Sequence, residues 1–414
     1  MSLVDNMKTF KSYLTEAKNT HMEHIEDMMF NEGKAGVTKA IKFMRDLEKM
    51  LAGDAKAPVN TTVKWDGAPA IIAGIDPADG QFFVGAKGVF AKTPKTIKKI
   101  PEDLDTHGYS GGLREKLETA YRNLNGVITK GVYQGDIMFT KGDVKTEKID
   151  GTSYFTFHPN TIVYAVPTNS KLGKRVASAN IGIVWHTTYT GSELGSMSAS
   201  FGKNIATGLK DTKNVWSADA VYTDASGTAT FTKAESKELA AKLKAAESTV
   251  KKVKGNILET IAGEKQLNTL VKSYNNSFVR QGTPFPAVRK HVAGLYKHVN
   301  AWYKKEEGKR KSPAGKKKVK DARSATIKKI FSDVKNLIPV FELFNQLTEA
   351  KMMIVKKMNQ AASMKTFVKT TKGFKTTDPE GYVAIGNTDA VKIVDRWEFS
   401  NNNFSPNVIK GWEK

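Results

Sequence analysis

Apolar residues near the start of the chain fall at helical spacing: Met22, Ile25, Met28, Met29 and Phe30, then Val37, Ile41, Phe43, Met44, Leu47 and Leu51. Positions three and four apart share one helix face, so residues 7–52 read as two helices with a break at Asn31-Glu32-Gly33. After Ala57-Pro58-Val59-Asn60 the spacing changes. Short apolar runs bounded by turn residues predict strands at 61–64, 70–75 and 81–85, the last two joined as an antiparallel hairpin by Asp76-Pro77-Ala78-Asp79-Gly80. One amphipathic helix, 111–127, follows through Leu113, Leu117, Ala120, Tyr121 and Leu124. Strand patterns return at 131–139, 153–157, 161–166 and 180–189, and a polar hairpin of 218–222 with 228–232 closes the block.

From about residue 233 the pattern turns to long helices rich in Lys, Ala and Leu. The clearest spans 284–303, with Phe285, Val288, Val292, Leu295, Tyr296, Val299 and Tyr303 on one face. Residues 308–320, containing Pro and Gly among lysines, read as a basic linker or loop. Helix resumes over 321–364, interrupted near Pro339, and strands reappear at 366–371, 382–385 and 390–394. A helical block enclosed by strands reads as an insertion. The expected division is an N-terminal helical segment (1–56), a β-rich core in two parts (57–232 and 365–414) and the helical insertion (233–364). The fold class is α+β, with antiparallel sheets.

Charge changes the picture. The 414 residues carry 65 Lys plus Arg against 42 Asp plus Glu, a formal charge of +23. It is uneven: residues 1–60 hold nine basic and nine acidic side chains, whereas 231–320 hold 22 and 7, a net of +15. Such an excess points to a polyanion, most simply nucleic acid, gripped through Lys251, Lys252, Lys254, Arg289, Lys290 and Lys297. No apolar run approaches bilayer length, and the first twenty residues lack an apolar leader segment. With no cysteine there is no disulfide and no thiolate metal site. The expectation is a soluble, monomeric cytoplasmic protein, in a host cytoplasm if phage-encoded, without membrane contact.

The candidate chemistry starts at Val63-Lys64-Trp65-Asp66-Gly67. A lysine closes a strand there and Asp-Gly turns the chain back, since glycine tolerates backbone angles that other residues resist. A lysine held partly desolvated beside other cations loses its proton more easily and becomes a nucleophile. Downstream come Lys87 on a glycine-flanked strand end, Asp136 after Gly135 inside a strand, and Tyr164 in an apolar strand. Glu380-Gly381-Tyr382-Val383 is a second acid-glycine unit, and Lys392 lies twelve positions beyond Glu380.

This ordered set resembles the covalent nucleotidyltransferase superfamily, which contains ATP-dependent DNA and RNA ligases and mRNA capping enzymes. The resemblance covers roughly residues 60–190 and 365–400. The helical start and the residues around Lys64 and Tyr133 also look like uncharacterised proteins of large tailed bacteriophages. The resemblance implies that Lys64 is adenylylated, with Asp66 and Lys392 completing the catalytic group. It implies that Val63, Gly67, Lys87, Asp136, Tyr164, Glu380 and Lys392 line the nucleotide site. Lys87 binds near the ribose or a 5′-phosphate, Asp136 holds the ribose, Tyr164 stacks on adenine and Lys392 contacts the α-phosphate. ATP and Mg²⁺, with Mn²⁺ as a substitute, are the implied cofactors, the metal held by Asp136 and Glu380.

The pattern also departs from the family. Lysine stands at 87 where arginine is usual, which loses a two-pronged anion grip. Aspartate stands at 136 for glutamate, Val394 takes the place of a second lysine, and only 22 residues follow Lys392, too few for the closing barrel of DNA ligases. The expected activity is polynucleotide ligation on nicked or splinted duplex, DNA first, with RNA or hybrids as alternatives. The competing expectations are a non-catalytic nucleic-acid-binding phage protein on a decayed transferase fold, or a capping-type guanylyltransferase.

Overall fold

The computed structural model describes residues 22–54, 59–202, 204–222, 229–332, 334–361, 364–386 and 390–413. Of the first expected helix, the part before Met22 lies outside the described residues; Ile25–Asp27 make a single tight turn, and its last apolar positions, Met28, Met29 and Phe30, open the next helix. The second is α1 (Met28–Leu51), and the break anticipated near Gly33 is a kink within it, where φ is 63° and ψ is −143°.

The β-rich part runs β1 (Asn60–Lys64), β2 (Ala70–Ile75), β3 (Phe82–Gly85), α2 (Glu102–Thr106), α3 (Gly111–Leu124), β4 (Val132–Thr140), β5 (Lys145–Ile149), β6 (Thr152–Phe157), β7 (Val163–Pro167), α4 (Lys171–Ser178), β8 (Ile181–Thr190), β9 (Ser198–Phe201) and β10 (Val215–Asp219). Among the described residues six α-helices follow: α5 (Lys233–Lys252), α6 (Ile257–Gly263), α7 (Lys265–Gln281), α8 (Val288–Gly308), α9 (Pro313–Phe331) and α10 (Ile338–Asn359). The chain then returns to strands with β11 (Lys365–Thr370), β12 (Gly373–Thr376), β13 (Gly381–Ile385) and β14 (Ala390–Ile393), and continues through α11 (Arg396–Phe404) to β15 (Val408–Ile409).

Among the described residues the strands form three sheets. One is ordered β10-β8-β4-β2-β3 with β9 on β8, and a second β12-β11-β7-β6-β5 with β15 on β11. The third, β1-β13-β14, joins the two ends of the β-rich sequence. Pairing is antiparallel throughout except between β10 and β8, which run parallel. Past β10 the chain crosses to the free edge of β1, where Val63 donates to the Ala220 carbonyl and Tyr222 donates to that of Thr61. The expected hairpin of 218–222 with 228–232 is therefore not what this segment makes. Its first arm pairs with β8 and β1; residues 223–228 lie outside the described ones, and Thr232 caps α5.

The helical block leaves after β10 and returns at β11, which pairs β7. Its residues 313–320, read as loop, are the first turns of α9: Ser312 accepts a hydrogen bond from Gly315 and Pro313 sits in the first turn, a position its fixed φ suits. The helix expected from 284 starts at Val288, because Pro284 and Pro286 disfavour helical angles in the residues before them. The main core is shared. Phe30 of α1 stacks on Phe344 of α10 with centroids 5.5 Å apart, and Tyr382, Ala384, Val391 and Ile393 join the same cluster from β13 and β14. The helical start and the helical block are thus one packed body, resting on the sheet that holds Lys64.

Candidate functional site

Antiparallel register sets Lys64 opposite Gly381 and Lys392 opposite Val383. Residues 381 and 383 share a face of β13, so both lysines project from the same side of the sheet. The Lys64 Nζ donates to Glu380 Oε1, a bond between residues 316 positions apart. The Lys64 side chain is 29 % exposed and that of Glu380 only 9 %. Burial pushes the Glu380 carboxyl up to about 7, against the pull of Lys64, and Asp66 raises it further. Burial, then the neighbouring Lys64, holds the Lys392 ammonium below its usual range. A buried carboxyl and a buried ammonium both displaced from their ordinary ranges in so little water are the electrostatic signature of many functional sites.

The turn after Lys64 is pinned from the second sheet. The Asp66 carboxylate accepts hydrogen bonds from the backbone N–H groups of Thr161 (2.7 Å) and Ile162 (2.8 Å) and from Asn160 Nδ2 (2.6 Å). Burial still raises its pKa. With its oxygens committed in this way, Asp66 acts on Lys64 by holding the turn. The Asp66 N–H donates to Tyr164 Oη at 2.7 Å. The Tyr164 ring stacks on Phe157 at 5.5 Å and meets Trp65 at 5.2 Å. Burial, then the charges of Asp66, Glu380 and Asp136, push its hydroxyl well above the ordinary range, so it stays un-ionised. Gly67 is required for a reason other than backbone angle. A Cβ there would lie 2.6 Å from the Asp136 Cβ and 2.9 Å from Met138 Sδ, so only glycine lets the turn touch β4. That approach brings Asp136, with His186 Nε2 3.8 Å from its carboxylate, to the site.

The structure thus gathers Val63, Lys64, Asp66, Gly67, Asp136, Tyr164, Glu380 and Lys392. Lys87 is exposed just past β3. Lys251, Lys252 and Lys254 lie at the end of α5, and Arg289, Lys290 and Lys297 on α8; all six are exposed.

Other participants carried no sequence signal. Lys116 of α3 donates to the Ala68 carbonyl at 3.0 Å. The Lys392 N–H donates to the Glu23 carbonyl at 2.8 Å, tying β14 to the segment before α1. Behind it lies a buried ionic group: Lys351 bonds Glu26 at 2.7 Å, and Arg396 bonds Asp27 at 3.1 Å and Glu26 at 3.3 Å. On the face of β1 and β13 away from Lys64 is a cavity of about 340 Å³ lined by Val63, Trp65, Tyr164, Trp216, Tyr222 and Tyr382, among others; Lys64, Glu380 and Lys392 do not line it. The Trp65 Nε1 is buried without a hydrogen-bond partner among the described residues.

Against known families, one model matches residues 19–408, nearly the whole chain. The chain belongs to the DUF6267 family, a family of unknown function. No curated protein and no solved structure matches it. The match takes in α1, every sheet and the helical block together, so in DUF6267 the β-rich part and the helices form a single family unit.

Proposed function

We propose that the protein is an ATP-dependent polynucleotide ligase that seals 5′-phosphate to 3′-hydroxyl ends of DNA through a lysyl-adenylate on Lys64. The observation that carries this reading is the convergence of Lys64, Glu380 and Lys392 on one sheet, from segments 316 residues apart. Lys64 Nζ, once deprotonated, attacks the α-phosphorus of ATP; the N–P bond forms as the bond to the bridging oxygen breaks, and pyrophosphate leaves. Negative charge grows around phosphorus, and Lys392 is the cation beside Lys64 that offsets it. At rest Lys64 Nζ donates to Glu380, so Lys64 must leave that partner before attack. Mg²⁺ neutralises phosphate charge when bound, and it takes one or two carboxylates along with phosphate oxygens. Glu380 and Asp136 fit that donor set, because a dication favours the ionised form that burial opposes in Glu380.

Incubation with α-labelled ATP and Mg²⁺ should place an acid-labile, alkali-stable label on the protein. Lys64→Ala should abolish it, and undiminished label would remove the assignment. Lys392→Ala should slow labelling about 100-fold or more with the melting temperature unchanged, as removal of one charge-stabilising group does. A second reading, nucleic-acid binding without catalysis, is favoured by Tyr164: Phe157 and Trp65 already pack against its ring, leaving it poorly placed to stack on a base. Absence of label from the wild-type protein would select that reading.

A further inference from the structure

We propose that Phe404 and Trp412 form a stacking platform for the bases of a single-stranded nucleic-acid end beside the Lys64 turn. The proposal deepens the ligase reading by naming how a strand end is held. Among the described residues, these are the two most exposed large hydrophobic side chains, 55 % and 62 %. An exposed ring alone would mean little. These two belong to adjoining segments that are fastened together and to the candidate site.

Lys410 Nζ donates to the Asn402 carbonyl at 2.6 Å, which ties the segment carrying Trp412 to the end of α11 carrying Phe404. The Gly411 N–H donates to the Asn160 carbonyl at 2.7 Å, and Thr161 Oγ1 donates to Asn403 Oδ1 at 3.0 Å. Asn160 and Thr161 are the residues that hold the Asp66 carboxylate. Both rings are therefore anchored, through one short loop, to the turn that follows Lys64.

The surroundings are cationic. The Arg280 guanidinium lies 5.4 Å from the Phe404 ring centroid. β15, just before Trp412, pairs Ile409 with Lys369 of β11. The β11–β12 hairpin exposes Lys365, Lys369, Lys372 and Lys375, with no acidic residue between 364 and 377. Rings that accept any base, beside cations that follow a phosphate backbone, are how proteins hold single strands without reading sequence.

The test uses the full chain and a fluorescein-labelled single strand of about 12 nucleotides, within the span one such site covers. It is run against the same strand with abasic positions. Fluorescence anisotropy should show Phe404→Ala and Trp412→Ala each weakening binding about 5- to 150-fold, the range for losing one stacked base. Trp412→Phe should restore most of it. The abasic strand should bind the wild type as weakly as the intact strand binds the variants. Lys64 labelling by ATP should be unchanged in both variants, since neither ring touches Lys64. Equal affinity of the wild type for intact and abasic strands, or variants that bind like wild type, would overturn the platform and leave the rings to a protein partner. A wild type that takes no label yet prefers the intact strand would overturn the ligase reading and keep the platform.

Discussion

Glu380 is a carboxyl group placed where its charge costs the fold. Its folded pKa, about 7, lies above the ordinary 4.5, so between those values the folded protein keeps a proton that the unfolded chain has released. Stability therefore falls as pH rises through that window, by about 3 kcal/mol once the step is complete. Glu380→Gln removes the step: thermal melts should show the variant above wild type at pH 8, with the gap closing near pH 4.5. No gap at pH 8 would mean that Lys64 fully compensates the burial. Glu26 behaves oppositely. Burial pushes it up, but Lys351 and Arg396 outweigh burial and bring it down to about 2. Its contribution is present above pH 4.5 and lost as pH falls toward 2. Of these groups, Lys64, Glu380 and Lys392 were legible in the sequence, because each sits in a short pattern whose residue types fit one chemistry. The task of Asp66 was not: its partners come from 95 residues away. Nor was the need for Gly67, which depends on β4 passing beneath it.

At the level of elements, what periodicity carries was readable and what pairing decides was not. The apolar stripes of α1 and α8 stand out, as do β2, β4 and β8. β5, Lys-Thr-Glu-Lys-Ile, is mostly polar and becomes a strand only by lying against β6. Similarly, Pro313 reads as a breaker until Ser312 makes it the start of a helix. The buried ionic group is invisible in any one segment, since Glu26 precedes α1, Lys351 is on α10 and Arg396 opens α11. Lys351→Met should cost about 3 kcal/mol in denaturant unfolding, because it takes the closer of two cations from the buried Glu26 carboxylate and leaves only Arg396. Adding Glu26→Gln should recover much of that loss; no recovery would show that packing around Lys351, rather than charge, carries the effect.

For the whole molecule, the uneven charge pointed to one basic block, and the structure fuses that block to α1 and to the Lys64 sheet. The strand pairs β7 with β11 and β1 with β13 bracket the helices, which interrupt a β-rich chain. Replacing Lys251, Lys252, Lys254, Arg289, Lys290 and Lys297 with glutamine should flatten the log–log salt dependence of single-strand binding by up to about 4, near 0.7 for each phosphate no longer gripped. End joining should fall while Lys64 labelling persists. The reverse result, joining intact and labelling abolished, would mean that the block closes over ATP instead.

The pairing of Lys64 with Glu380 also sets a clock. On a ribosome adding about 5–20 residues per second, Lys64 emerges roughly 15 to 60 seconds before its partner. Throughout that interval β1 lacks β13 and β7 lacks β11, so both present bare strand edges of the kind that recruit other chains. The helical block must be made, and its ends brought together, before either edge is covered. A nascent or prematurely terminated chain thus carries Lys64 without Glu380 and Lys392 beside it. Those unpaired edges stay open for as long as the interval lasts.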